Sequence, residues 1–217
     1  MTAPLTDSLG NPVTLRDERS IAALNDFVEG FIACEARAVN VLQAQADASP
    51  LVQAYCAALH MFAESADAPR NARPFIEQAL AHAHQASERE QRWVAAVAAW
   101  VDGDLPRAIA LHEEQAHLHP RDLASIKLGQ YHLFNRGDSP GMLRLGLQAL
   151  PAAADVPYLH GMLAFGWEQC HRLKEAEAAA RHAIHRCRKE PWAHHALAHV
   201  MLTQGRIAEG IDFMASV

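Results

Sequence analysis

Two histidines four residues apart form the densest group of reactive side chains in this sequence. They lie in Pro191-Trp-Ala-His-His-Ala-Leu-Ala-His-Val200, where one helical turn separates His195 from His199. Residues at this spacing share one helix face, so the two imidazoles could bind a single metal ion. A third ligand would have to come from another helix, from His160 or Glu168. Because two ligands alone are weak evidence, the favoured interpretation is that the histidines are structural residues or contacts to a bound ligand, and a metal site is the alternative.

No other group of residues in the sequence predicts catalysis. A nucleophile elbow, a P-loop and a dinucleotide-binding glycine motif are all missing, and the HExxH pattern fails because Ala196 follows His195. Gly161 and Gly166 fall within a predicted helix and are interpreted as sites of close helix packing. We therefore expect no catalytic residue and no cofactor. Five histidines on helices rich in Glu, Arg and Lys are predicted to be solvated: His112, His117, His119, His182 and His185.

Composition favours helices as the elements that position these side chains. The chain has 217 residues, 43 of them alanine, and only 6% are aromatic. Alanine is the strongest helix former, whereas β-branched and aromatic residues favour strands. The length suits one domain or one elongated repeat array. A β-sandwich or β-barrel is therefore excluded, and an all-α fold is predicted.

Charge and hydropathy limit the classes of partner. The formal net charge of −6 argues against nucleic acid, because phosphate binding needs a basic surface. The longest apolar run, Val94–Val101, has eight residues, well short of the roughly 18 of a membrane span. The first ten residues lack the pattern of a signal peptide, and four dispersed cysteines are typical of free thiols. We expect a cytoplasmic protein that binds neither nucleic acid nor membrane.

Turn residues recur with a period of 34. Gly103, Gly137 and Gly205 are separated by multiples of 34, and His171 occupies the missing position. Each of them lies between two helical patterns, and this period is that of the tetratricopeptide repeat. The predicted helix pairs are Leu51–Glu64 with Ala72–Gln85, Glu88–Val101 with Leu105–His119, Leu123–Arg136 with Pro140–Leu150, Pro157–Cys170 with Leu173–Lys189, and Pro191–Gln204 with a segment from Ile207.

The predicted architecture is an α-solenoid of tetratricopeptide-type helical hairpins, about four to five pairs after an N-terminal helical segment. Residues 1–16 are predicted to be irregular and residues 17–48 to form one or two helices. The repeats are placed at approximately 50–86, 87–120, 121–154, 155–190 and an incomplete 191–217. Ser87 with Glu90 forms a capping box at one of the boundaries. A compact helical bundle is the alternative, but it would not need a fixed period.

The repeat register also selects a candidate binding surface. In stacked helical hairpins, the first helix of each pair lines the concave face, and defined motif positions point into it. Aromatic residues there suit peptide binding, because rings bury a large area at low entropic cost. The alternative is that the N-terminal helices fill this face, so that the aromatics are core residues. The partner-binding candidates are Trp93, Trp100, Lys127, Tyr131, Phe134, Tyr158, Phe165, Glu168, Trp192, His195 and His199.

Five segments, in order and spacing, resemble the tetratricopeptide repeat protein 38-like family. The resemblance covers most of residues 9–214, implies an interaction scaffold, and matches His195 and His199 to histidines of the family motif. The segments are Gly10-Asn-Pro-Val-Thr14, Val101-Asp-Gly-Asp-Leu-Pro-Arg-Ala108, His119-Pro-Arg-Asp-Leu-Ala124, Gly161-Met-Leu-Ala-Phe-Gly166, and Trp192…His195…Ala198-His-Val200 with Phe213-Met214.

Two hypotheses about function follow. The first is a cytoplasmic scaffold that binds a peptide or protein through its concave face. The second is a small-molecule or metal-dependent site around Trp192, His195 and His199, with an enzymatic role as one form of this alternative. Members of the family continue through further repeats, whereas this sequence ends within the last hairpin. The uncapped edge would carry Ile207, Ile211, Phe213 and Met214, so self-association through it is a further expectation.

Overall fold

The computed structural model describes residues 5–217, and the regular structure in them is helical apart from one isolated bridge between Thr6 and Pro12. The all-α prediction is confirmed. Three short 3-10 helices span Glu18–Ser20, Ala36–Ala44 and Ala83–Gln85. The α-helices are α1 (Ile21–Ala33), α2 (Pro50–Met61), α3 (Ala68–His82), α4 (Glu88–Val101), α5 (Leu105–Leu118), α6 (Leu123–Asn135), α7 (Ser139–Ala153), α8 (Pro157–Gln169), α9 (Leu173–Arg186), α10 (Pro191–Thr203) and α11 (Ile207–Ala215).

The turns that end α4, α6, α8 and α10 share one backbone geometry. Each places a left-handed residue at the position predicted from the period of 34, namely Gly103, Gly137, His171 and Gly205, with φ of 79°, 73°, 55° and 73°. In each turn the next residue donates its N–H to the carbonyl five residues earlier, as in Asp104 N to Ala99 O at 2.8 Å. This hydrogen bond ends the helix, and glycine is preferred at the left-handed position because it has no Cβ. The periodicity is therefore present in the structure as well as in the sequence.

Side-chain caps set where several helices begin. The Ser87 hydroxyl accepts from Glu90 N while the Glu90 carboxylate accepts from Ser87 N at 2.9 Å, which is the predicted capping box. Asp104 and Asp138, 34 residues apart, each cap the following helix by accepting a backbone N–H. The four second helices α5, α7, α9 and α11 begin at intervals of 34 residues, although only α5 and α7 carry an aspartate cap.

The chain divides into two compact units, residues 1–129 and residues 130–217, with the boundary inside α6. In the first unit α2 packs against α3, and α4 packs against α5 and α2. Helix α1 packs on the 3-10 helix Ala36–Ala44 and also contacts α2. The core of this unit includes a row of rings, in which Phe27 stacks on Tyr55 at 4.3 Å and Tyr55 meets the edge of Trp93 at 4.8 Å.

The described part of the predicted irregular segment, residues 5–16, is fastened to the first unit by hydrogen bonds. Thr14 N donates to Glu90 Oε1 at 2.7 Å, and Arg121 Nε donates to Leu9 O at 3.2 Å. Arg89 donates to Pro12 O and also forms an ion pair with Asp122 at 2.7 Å. Both of these charged side chains are almost fully buried. Burial lowers the pKa of the Arg89 guanidinium, but the nearby Asp122 carboxylate opposes this and the net shift is upward. Residues 1–4 lie outside the described residues.

In the second unit α8 packs on α7 and α9, while α10 packs on α8, α9 and α11. Small side chains allow this close stacking, since five of the seven buried residues at its centre are alanines. Gly166 serves the same purpose, because a Cβ there would lie 3.2 Å from Leu143 Cα. The interpretation of the alanines and of Gly166 as packing residues is confirmed.

Candidate functional site

Five side chains of the second unit form a continuous row, here called the aromatic-histidine surface: Phe134, Phe165, Trp192, His195 and His199. The Phe165 ring lies 5.4 Å from Phe134, 5.5 Å from Trp192 and 5.4 Å from His195, measured between centroids. The imidazoles of His195 and His199 lie 4.3 Å apart. All five belong to the predicted binding candidates, and the structure brings them together.

Helix geometry explains why these residues meet. Trp192, His195 and His199 stand at positions i, i+3 and i+7 of α10, which lie within about 60° of one another around a helix. Phe165 projects from α8, which packs directly on α10. Ala164, Ala193 and Ala196 fill the interface between these helices and are fully buried, so the backbones can approach closely. The alanines at the α8–α10 interface therefore bring Phe165 of α8 close to the large side chains of α10.

The aromatic-histidine surface is accessible. The Phe134 side chain is 44% exposed although it is aromatic, His195 is exposed, and the remaining three members are half-buried. Leu202, one turn beyond His199 on α10, is 65% exposed. Contiguous apolar side chains in contact with water commonly mark interaction sites.

One carboxylate lies beside the histidines. Glu168 Oε1 is 3.5 Å from His199 Nδ1, and the other carboxylate oxygen accepts from Gln169 Nε2 at 2.7 Å. Only 9% of Glu168 is exposed. This carboxylate places a negative charge beside the imidazole and would attract a cationic group that approaches from solvent. Glu168, a predicted member of the site, therefore lies beside the aromatic-histidine surface but contributes little exposed area to it.

The structure corrects the position expected for His160. Its imidazole meets His182 of α9 at 4.3 Å, and its Nε2 lies 2.9 Å from Ala154 O. On α8 it stands about 140° around the helix from Phe165, so it points away from the aromatic-histidine surface. Within residues 5–217 no group of three His, Cys, Asp or Glu side chains could hold a metal ion. The metal hypothesis therefore has no third ligand in the described chain.

Trp93 and Trp100 are core residues of the first unit, which corrects their assignment as partner-binding candidates. Trp93 has no exposed area, and its indole donates to Asp122 at 3.3 Å. Trp100 is 8% exposed and meets Phe62, on which Phe31 of α1 packs at 5.0 Å. The alternative interpretation, in which the N-terminal helices fill this face, is the one that holds in the first unit.

Three further candidates and one histidine occupy different surroundings. Lys127 is 7% exposed in the first unit, so its charge has little contact with solvent. In the second unit Tyr131 is half-buried beside His132, and the Tyr158 hydroxyl lies 4.0 Å from Cys187 Sγ. The prediction of a solvated His112 is wrong, because it is fully buried with its Nδ1 2.7 Å from Ser125 Oγ.

Comparisons with known proteins add no assignment. No protein-family model and no solved structure matches the chain. Across residues 5–217 no helix is both long enough and apolar enough to span a bilayer.

Proposed function

We propose that the chain is a tetratricopeptide-type scaffold that binds a peptide or protein segment on the aromatic-histidine surface. The accessible row of rings from Phe134 to Trp192 is the observation that carries this proposal. The 34-residue recurrence of turns and caps supports the repeat class, and the segment resemblance to the tetratricopeptide repeat protein 38-like family is consistent with it. We also propose that the protein acts in the cytoplasm without catalysis of its own.

The chemistry of the surface defines the partner. Phe165 and Trp192 offer ring faces to an aliphatic or aromatic side chain, and such contacts dominate the energy of peptide interfaces. Glu168 is the acidic group beside His199 of the same surface, and none of the five surface residues is a lysine or an arginine. An acidic peptide therefore finds no counter-ion among these residues. The proposed partner segment carries a large apolar side chain followed by a basic one.

Selection from a random peptide library tests this proposal. The full chain is immobilised, and enriched peptides are synthesised and measured by isothermal titration calorimetry. We expect enrichment of aromatic or aliphatic residues next to Lys or Arg. The Trp192→Ala variant should weaken binding by about thirtyfold or more, the loss typical of a central interface residue.

A matched variant separates this surface from general apolar binding. Leu118 is 50% exposed on α5 of the first unit, so Leu118→Ala also removes an exposed apolar side chain. Its affinity for the selected peptides should equal that of the original chain. Peptides that bind Trp192→Ala as tightly as the original chain would contradict the proposal.

Self-association is a separate proposal about the edge formed by α11. Ile207, Ile211 and Met214 are 48%, 65% and 47% exposed, and they form one stripe at i, i+4 and i+7. Contiguous exposed apolar side chains of this kind commonly mark interaction sites. Light scattering after size exclusion should show a dimer that Ile211→Asp converts to a monomer. If the original chain is a monomer at every concentration, the proposal of self-association is refuted.

A further inference from the structure

A cavity of about 680 Å³ opens in the first unit. One wall is residues 16–26, which run from the N-terminal segment into α1, and the other is residues 40–48, which precede α2. Small side chains, including Ala22, Ala23 and Ala44, leave the space between these walls unfilled. The volume falls within the range of sites for small organic molecules.

Hydrogen bonds brace the two walls against each other. Asn40 Nδ2 donates to Asp26 Oδ2 at 2.8 Å across the cavity. Arg16 N donates to Ser49 Oγ at 2.7 Å, and this hydroxyl donates to Asp47 Oδ1 at 2.6 Å. The carboxylates of Asp26 and Asp47 are therefore held in fixed orientations, which is a condition for specific recognition.

Asp47 is the residue whose surroundings indicate a bound ligand. It lines the cavity, is 8% exposed, and stands in a turn whose neighbours on both sides are more exposed. Its Oδ1 accepts from both Ser49 N and Ser49 Oγ. Its Oδ2 is buried without a hydrogen-bond partner. A carboxylate oxygen in that state is unfavourable unless a donor reaches it.

The charges around the cavity favour a cation. Three carboxylates and two guanidinium groups line it; Arg19 is ion-paired with Asp17, and Arg16 Nη2 donates to the neutral Gln85 Oε1 at 2.5 Å. Asp26 and Asp47 remain as negatively charged acceptors. A metal ion is not favoured, because the described residues provide no set of three protein ligands. An ammonium group supplies donors and positive charge together.

We infer that this cavity binds a small organic cation through its primary ammonium group, with Asp47 as the buried acceptor and Asp26 on the opposite wall. Putrescine is a suitable probe, and the uncharged diol of the same length is its control. Titration calorimetry on the full chain should show saturable binding of putrescine and no saturable binding of the diol. Asp47→Asn keeps the Oδ1 acceptor but removes the charge, so it should weaken putrescine binding at least about tenfold.

Two further variants keep the test independent of folding. Asp212→Asn makes the same change at an exposed position of α11 and should leave putrescine affinity unchanged. Ala22 is exposed on α1 and lines the cavity, so Ala22→Leu should block it while the melting temperature stays the same. The inference is overturned if the original chain shows no saturable binding, or if Asp47→Asn or Ala22→Leu binds putrescine equally well.

Discussion

Gly161 of α8 provides a sharp test of how the second unit is packed. A Cβ at this position would collide with the Glu190 carboxylate, whose Oε1 would lie 2.6 Å from the added carbon and whose Oε2 would lie still closer. Glu190 is fully buried and caps α10 by accepting from Ala193 N. Gly161→Ala therefore expels the carboxylate that begins the helix bearing Trp192 and His195.

The expected cost follows from three contributions. Overpacking a core site costs about 1–3 kcal/mol, and losing a helix cap costs about 1 kcal/mol. Replacing glycine by alanine within a helix offsets this by about 1 kcal/mol. We expect Gly161→Ala to lower the free energy of unfolding by about 1–3 kcal/mol. Urea denaturation followed by circular dichroism measures this change.

A matched glycine predicts the opposite sign. A Cβ at Gly210 of α11 would lie 3.5 Å from Met201 Cβ, which is ordinary contact. Gly210→Ala should therefore stabilise the chain by about 0.5–1 kcal/mol. In a Glu190→Ala background, Gly161→Ala should also become stabilising, because the colliding group is gone. The reasoning is refuted if Gly161→Ala stabilises the original chain, or if its cost persists without Glu190.

Three other predictions concern burial. His132 is buried in the second unit, and burial lowers its pKa to about 4. The unfolded chain then takes up this proton at higher pH than the folded chain does. Stability should fall by up to about 3 kcal/mol between pH 6.5 and pH 4, and His132→Leu should flatten urea midpoints over that range. Asp122→Asn leaves Arg89 buried without its counter-ion and should cost about 3–5 kcal/mol. Glu114→Gln removes a half-exposed carboxylate that pairs with Arg92 and should cost under about 1 kcal/mol, both by urea denaturation. Trp93→Ala should lower the melting temperature sharply while Phe134→Ala leaves it nearly unchanged, and equal effects would contradict their different burial.

The helices could be predicted because their determinants are local. The caps Ser87 and Asp104 and the left-handed Gly103 depend on residues within one turn, so α4 begins and ends at the predicted residues. The grouping of Phe165 with the α10 residues also followed from the period. These features need only the spacing along the chain, together with the rule that small residues face the neighbouring helix.

The burial of a side chain by residues distant in sequence could not be predicted in the same way. The repeat register places Trp93 on a particular helix face but does not predict which residues bury that face. In the structure Tyr55 packs on Trp93 and Phe27 packs on Tyr55, and both come from segments outside the clear repeats. His112 has charged neighbours on its own helix, yet Ser125 of α6 buries it. The cavity acceptor Asp47 carries no motif, because its isolation arises from tertiary packing around a turn.

The affinity ratio between the original chain and Trp192→Ala, for the tightest selected peptide, tests the central claim most directly. Trp192 is half-buried beside Phe165 and His195, so its removal takes away a ring face while the helix core of alanines remains. We predict that the dissociation constant rises about thirtyfold or more while the melting temperature changes little. An unchanged dissociation constant would show that the aromatic-histidine surface is not where the chain binds its partner.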